Sequence, residues 1–223
     1  MPAVVHALPL MLSCAYLIEA PSGLVLIDAG CPGEEHVILR AIGRLRPARL
    51  QMIFITHAHF DHYGSAAALR RSTGAPIAVH VDDAQALSHG QTPVTSARSW
   101  GRAGLAALRL AERFVRAPAT PPDVCLQDGQ PLDQTGLQAM VLHTPGHTLG
   151  SSCLIVEGRL AFAGDLLTTT GGQQSQRYFA VDWELLPGSL ARLQSQHPEW
   201  TYPGHGRRPL DGPALQRLRP APQ

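Results

Sequence analysis

Three histidines and an aspartate fall within six residues, in the segment Thr56-His57-Ala58-His59-Phe60-Asp61-His62. Imidazole and carboxylate are the donors that hold zinc, iron or manganese in an open, hydrolytic site. Spacing decides which of them can share an ion. In extended or turning chain, residues i and i+2 point the same way, so His57 and His59 can grip one ion. Asp61 and His62 come after the chain has begun to turn, and can face a second ion nearby. The cluster is internal, which separates it from a terminal histidine tag.

The flanking segments explain how such a cluster could be aimed. Residues 50–55 are apolar and read as a buried strand. Residues 64–71 read as a helix. The cluster then occupies a strand-to-helix turn, where several side chains can converge on one point. Three later segments each place one more donor in a Gly-rich turn after an apolar run. They are Thr144-Pro145-Gly146-His147-Thr148, Ala163-Gly164-Asp165 and Pro203-Gly204-His205-Gly206.

With these four motifs in this order, the chain resembles the metallo-β-lactamase-fold hydrolases across residues 57–205. The resemblance implies an α/β fold, an αββα sandwich of two mixed β-sheets flanked by helices. It implies that His57, His59 and His147 bind a first metal ion, that Asp61, His62 and His205 bind a second, and that Asp165 bridges both. The implied cofactors are two divalent metal ions, zinc first, with iron and manganese as alternatives. Ions about 3.5–4 Å apart lower the pKa of a shared water, whose hydroxide attacks a carbonyl. Asp61 and Asp165 are the implied catalytic carboxylates, Asp61 as a proton acceptor. Asp28, in Leu26-Ile27-Asp28-Ala29-Gly30, is implied to lie beneath the site as support. Thr56, Asp28 and Thr148 are candidates to orient the imidazoles. No Gly-x-Ser-x-Gly elbow suggests a protein nucleophile instead.

The expected substrate is a small thioester or related acyl ester. Thioester hydrolases of the glyoxalase II type carry a helical C-terminal domain for glutathione, and residues 207–223 are expected to be too few to supply it. N-acyl homoserine lactonases resemble the chain in length and in His59-Phe60-Asp61-His62, and give the second reading. A sulfur dioxygenase with one iron held by two His and one Asp is the reading from another class. The filled second donor set counts against it. A non-enzymatic metal-binding module is the third.

The whole chain bounds these readings. Its 223 residues, 44% hydrophobic, fit a single metallo-hydrolase domain over 1–223. A helical insertion is expected at about 82–122. A net charge of +1 gives no basic surface for nucleic acid. No apolar run approaches the ~18 residues of a membrane span. The N-terminus lacks a basic leader region, and the four cysteines lack CxxC spacing, so reduced thiols in the cytoplasm are expected. The expected partner is a small-molecule substrate, without nucleic acid or membrane; a homodimer is left open.

Periodicity predicts strands at 4–6, 12–19, 24–27, 50–55, 76–81, 124–126, 136–143, 153–157, 159–163 and 200–202. It predicts helices at 33–45, 64–71, 82–87, 100–116, 183–196 and 212–218, with Asp82 capping the third. The insertion and loop 168–178 are expected to wall a cleft, with Phe60, Tyr63, Trp100, Arg177 and Tyr178 as contacts. His80 is expected to pack on its strand and His143 to face away from His147. His6, His36, His89 and His197 read as surface or core residues.

Overall fold

Residues 23–27 and 50–55 are apolar at almost every position, and a strand of that kind is stable only when both its faces are covered. The computed structural model, which describes residues 3–45, 49–94, 96–98, 101–103, 117–132 and 135–221, covers them in this way. The first half runs β1 (Val4–Pro9), β2 (Cys14–Ala20), β3 (Gly23–Ile27), α1 (Glu35–Arg44), β4 (Leu50–Ile55), α2 (Phe60–Tyr63), α3 (Ala66–Thr73), β5 (Ile77–His80), α4 (Val81–Ser88) and β6 (Ser96–Ala97). The second half runs β7 (Val124–Leu126), β8 (Ala139–His143), β9 (Ser152–Val156), β10 (Leu160–Phe162), β11 (Leu167–Thr168), β12 (Gln174–Ser175), β13 (Phe179–Ala180), α5 (Leu185–Ser195), β14 (Trp200–Tyr202), β15 (Leu210–Asp211) and α6 (Gly212–Arg217).

One mixed sheet has the order β1-β2-β3-β4-β5-β7, and the other β15-β14-β10-β9-β8. Side-chain alternation sorts the strands into layers. Leu24 and Leu26 of β3 face a core shared with Ile38 of α1 and Leu69 of α3. Val25 and Ile27 face the second sheet, against Val141, Leu154, Val156 and Phe162. The outer face of that sheet, including Cys153 and Ile155, packs on Leu186, Leu190 and Leu193 of α5. The result is the αββα sandwich. No helix among the described residues is long and apolar enough to cross a membrane.

Several local expectations shift. The helix expected at 64–71 is α3, which begins at Ala66, and a separate short helix, α2, precedes it over Phe60–Tyr63. A Cβ on Gly64 would lie 2.4 Å from the Phe60 carbonyl and from Pro32, so the chain passes there only as glycine. β5 stops at His80, whose side chain caps α4 by accepting the Asp82 N–H, the role expected of Asp82 itself. β8 is confined to Ala139–His143 because Gly136 turns the chain at φ 66°. Of the helix expected at 100–116, residues 101–103 are helical; Trp100 and residues 104–116 lie outside the described residues.

The sheets place the motifs at one end of the molecule. The His57, His147, Asp165 and His205 loops follow the C-terminal ends of β4, β8, β10 and β14. The Tyr16, Phe162 and Tyr202 rings meet between the sheets at centroid distances of 4.9–5.3 Å. The Tyr16 hydroxyl donates to the Pro203 carbonyl at 2.6 Å, and Cys14 N–H to the Gly204 carbonyl at 2.8 Å. β2 of one sheet thereby carries the His205 turn of the other. Tyr16→Phe should lower the unfolding free energy in urea by about 1–3 kcal/mol, because it leaves a buried carbonyl without its donor. A change below about 0.5 kcal/mol, the level of a neutral surface substitution, would show that the hydroxyl does not hold the turn.

Candidate metal centre

The centre begins with Asp28. It follows β3 in the left-handed region (φ 58°), which turns its buried carboxylate under β4. Asp28 Oδ1 accepts the Thr56 N–H at 2.8 Å, and its two oxygens lie 3.1 and 2.9 Å from the Thr56 hydroxyl. Asp28 Oδ2 accepts His62 Nδ1–H at 2.8 Å. The Thr56 hydroxyl is spent as a donor on Asp28, so it accepts from His57 Nδ1 at 3.0 Å. One carboxylate thus fixes the tautomers of two histidines and turns both Nε2 atoms toward the cleft.

The other three histidines are anchored from behind by carbonyls. His59 Nε2 donates to Pro93 O at 2.9 Å, His147 Nδ1 to Phe179 O at 3.0 Å, and His205 Nδ1 to Leu12 O at 2.8 Å. Their free nitrogens converge. His59 Nδ1 stands 3.0 Å from His147 Nε2, and Asp165 Oδ2 lies 3.3 Å from His147 Nε2 and 4.0 Å from His57 Nε2. On the other side, His205 Nε2 lies 3.1 Å from Asp165 Oδ2, 3.4 Å from Asp61 Oδ2 and 3.4 Å from His62 Nε2. All seven donors read from the sequence are therefore brought together. They form a group of His57, His59, His147 and Asp165 beside one of Asp61, His62 and His205.

The donor chemistry fits cations. Gaps of 3.0–4.0 Å are the edges of a coordination sphere with bonds of about 2.0–2.2 Å. His57 Nε2 and Asp165 Oδ1 are buried without a hydrogen bond, although His62 Nε2 is 3.3 Å from the latter. With their rear nitrogens donating to carbonyls, His59 and His147 turn two lone pairs toward each other, an arrangement that a shared cation relieves.

The two groups differ electrostatically. Burial and neighbouring imidazoles hold His57 well below its ordinary range; burial likewise lowers His59, and drops His147 to about 3. These rings are neutral at physiological pH, as ligation requires. Burial also opposes charge on His62 and His205. There Asp165 outweighs it, helped at His62 by Asp28 and Asp61, so His62 is raised well above its usual value and His205 reaches about 9. For Asp165, burial favours the neutral acid, but His205 and His62 hold it well below the carboxylate range. Protons on His62 and His205 therefore compete with a cation for the same lone pairs.

Pro93 meets the first group through its carbonyl on His59, and β6 pairs antiparallel with β13, Ser96 opposite Ala180 and Ala97 opposite Phe179. Phe60 is half-buried against the first core, Arg177 is exposed and Tyr178 half-buried. Tyr63, expected to line the cleft, is fully buried instead, its hydroxyl on the Gln91 carbonyl at 3.0 Å. A third group, His80, Asp82 and His143, has donor atoms close together. However, the two imidazoles stack at 3.9 Å and 10°, so their in-plane lone pairs run parallel and cannot converge on one ion. His143 Nε2 donates to Leu149 O at 2.8 Å. His6, His36 and His89 bond Glu19, Gly33 and Gln85, away from the centre.

Two buried residues escaped the sequence reading. Gln176 accepts the Arg177 and Tyr178 N–H groups at 2.9 and 3.0 Å and donates to the Asp165 carbonyl at 3.0 Å. Asp83 binds the loops of both His57 and His147. Gln176 has no local signal in the sequence. Asp83 has a faint one, an acid in the first turn after a buried strand.

The family profile described as the metallo-beta-lactamase superfamily matches residues 10–205. The probable metallo-hydrolase YflN of Bacillus subtilis (strain 168) is 30% identical over 226 residues, covering 91% of this chain and 83% of that protein. The acyl-coenzyme A thioesterase MBLAC2 of Bos taurus is 37% identical over 117 residues, 50% of this chain and 39% of that protein, so the chain spans about two fifths of this relative. Among solved structures, TTHA1623 in a di-iron-bound form aligns at 30% identity and a TM-score of 0.68, covering 97% of this chain and 98% of that one. The BLEG-1 B3 metallo-beta-lactamase aligns with a TM-score of 0.75 at 24% identity over 97% of this chain and 98% of that one, a likeness of fold.

Asp28→Asn keeps size and shape but sets an amide NH2 against the donors of Thr56 or His62. Metal affinity, measured by competition with a chromophoric chelator, should fall about 10–100-fold, the usual effect of losing such an anchor. An unchanged affinity would mean that the imidazoles are oriented by other contacts.

Proposed function

Because the chain belongs to the metallo-beta-lactamase superfamily, we propose that it is a hydrolase using two divalent metal ions on a small carbonyl substrate, a thioester or related acyl ester. The observation that carries this reading is the Asp165 carboxylate, one oxygen of which lies near histidines of both donor groups. In this reading His57, His59 and His147 hold the first ion, Asp61, His62 and His205 the second, and Asp165 serves both. When bound, the ions supply an activated water and polarise the scissile carbonyl.

The chain's own residues do the rest. Asp165 offsets the charge of two cations in a buried cleft. Asp61, 3.4 Å from His205 Nε2 through Oδ2, accepts the proton that the attacking water gives up. Pro93, carried on the proposed helical insertion 82–122 of a single metallo-hydrolase domain, anchors His59 at the first group. Zinc is the first assignment. Histidine and carboxylate accept iron and manganese as well, and the di-iron-bound form of TTHA1623 supports iron as the competitor. The thioesterase relative supports the thioester class. Lactone hydrolysis, as in N-acyl homoserine lactonases, uses the same attack and is the alternative. The free cysteines Cys14, Cys31, Cys125 and Cys153 support a reducing compartment, the cytoplasm.

Elemental analysis of purified protein should give close to two metals per chain. Asp165→Ala should lose the second ion and about 10²-fold or more in turnover, with the fold intact by circular dichroism. A wild-type content of one that added zinc, iron or manganese cannot raise would remove the binuclear reading and favour the sulfur dioxygenase. Substrate class is read from a panel of acyl thioesters, acyl homoserine lactones, phosphodiesters and glutathione persulfide with oxygen, assayed on metal-loaded protein. Turnover of carbonyl substrates without oxygen uptake is expected; persulfide-dependent oxygen consumption, or phosphodiester cleavage alone, would defeat the proposal.

A further inference from the structure

Asp83 is buried, carries a carboxylate, and lies outside every motif that contributes a donor to the centre. It sits in the first turn of α4. Its Oδ2 accepts the N–H of Ala58, the residue between His57 and His59, at 2.8 Å. The same oxygen accepts the hydroxyl of Thr148, the residue after His147, at 2.7 Å. Its Oδ1 accepts the Gly150 N–H at 2.8 Å. One side chain therefore spans the two loops that supply the three histidines of the first group. The Ser152 N–H to Thr56 carbonyl bond, 2.9 Å, joins the same loops through backbone.

The carboxylate is itself held in place. A Cβ on Gly150 would fall 2.5–2.6 Å from the N, Cβ and Cγ of Asp83, so the second loop lies as close as glycine permits. The start of α4 is fixed by His80, which accepts the Asp82 N–H and stacks on His143. His143 in turn holds the Leu149 carbonyl. The Thr148 hydroxyl also sits 2.8 Å from Ser151 Oγ, which accepts the Thr148 N–H at 2.9 Å. Against this brace stands the 3.0 Å approach of His59 Nδ1 to His147 Nε2. These two nitrogens belong to the two loops that Asp83 joins.

We infer that Asp83 is a positioning residue for the first ion: it fixes His57 and His59 relative to His147, and so sets that ion's affinity without touching it. The inference rests on the two-metal reading above. Asparagine at this place cannot reproduce the three bonds. Its amide nitrogen faces either the Gly150 N–H or the donors of Ala58 and Thr148, so donor meets donor.

The test is a stepwise Zn²⁺ titration of the full chain against a chelator, with Co²⁺ substitution to read the visible d–d bands. In Asp83→Asn, one of the two dissociation constants should rise about 10–100-fold while the other stays within about twofold, and the Co²⁺ spectrum should change. Thr148→Val, which deletes one of the three bonds, should move the same constant in the same direction by less. Thr148→Ser, which keeps the hydroxyl, should restore it. Two wild-type constants in Asp83→Asn, a loss shared equally by both ions, or a lowered melting temperature with unchanged constants would each overturn the inference. If Asp83→Asn does not fold, the Thr148 pair decides, and equal constants for Val and Ser overturn it. A wild-type chain that binds fewer than two ions would sink the two-metal reading, whatever Asp83 does.

Discussion

Unprotonated imidazole nitrogens and a carboxylate stand 3.0–4.0 Å apart, out of water, on loops distant in sequence, and the rest of the structure is arranged around that constraint. Buried acceptors without donors are costly, and more so when they face one another. The fold answers from behind. Each histidine has its other nitrogen on a fixed acceptor: the Asp28–Thr56 pair for His57, Asp28 for His62, and backbone carbonyls for His59, His147 and His205. A divalent cation would complete the arrangement from the front.

The sandwich makes such anchoring possible because its layers are not independent. Tyr16 and Cys14 of the first sheet bond the Pro203-Gly204 turn that leads to His205. Asp28, at the end of β3, holds the turn after β4. Asp83, at the start of α4, holds the loop after β8. Donors from the two sheets are thus registered by groups outside the seven-donor set. A substitution at any of these supports should act on the centre through geometry rather than through chemistry.

The division of charge within the centre follows from the same packing. The first group has four neighbours of which three are imidazoles, so burial wins and the rings stay neutral. In the second, Asp61 and the neighbouring Asp165 stand beside two imidazoles, with Asp28 behind His62, and there the carboxylates win. Equal residue types thus behave differently a few ångströms apart. Entry of a cation into the second group must displace protons, whereas the first group presents lone pairs already free.

Much of this was legible in the sequence. The types and order of the seven donors and their place in turns after apolar runs are matters of local spacing. Local spacing is what a chain carries before it folds. Asp28 could be named for the same reason, as part of a contiguous segment. Tertiary structure alone decided the supports and the directions. Asp83 bonds Gly150 across 67 residues, and Gln176 reaches Asp165 across 11, with no period or motif to announce either. Tyr63 turns into the core although it follows the metal loop directly, and places its hydroxyl on the Gln91 carbonyl. A hydrogen bond between distant residues, or the face a side chain presents, depends on which elements pack together, and that is settled only when the layers close.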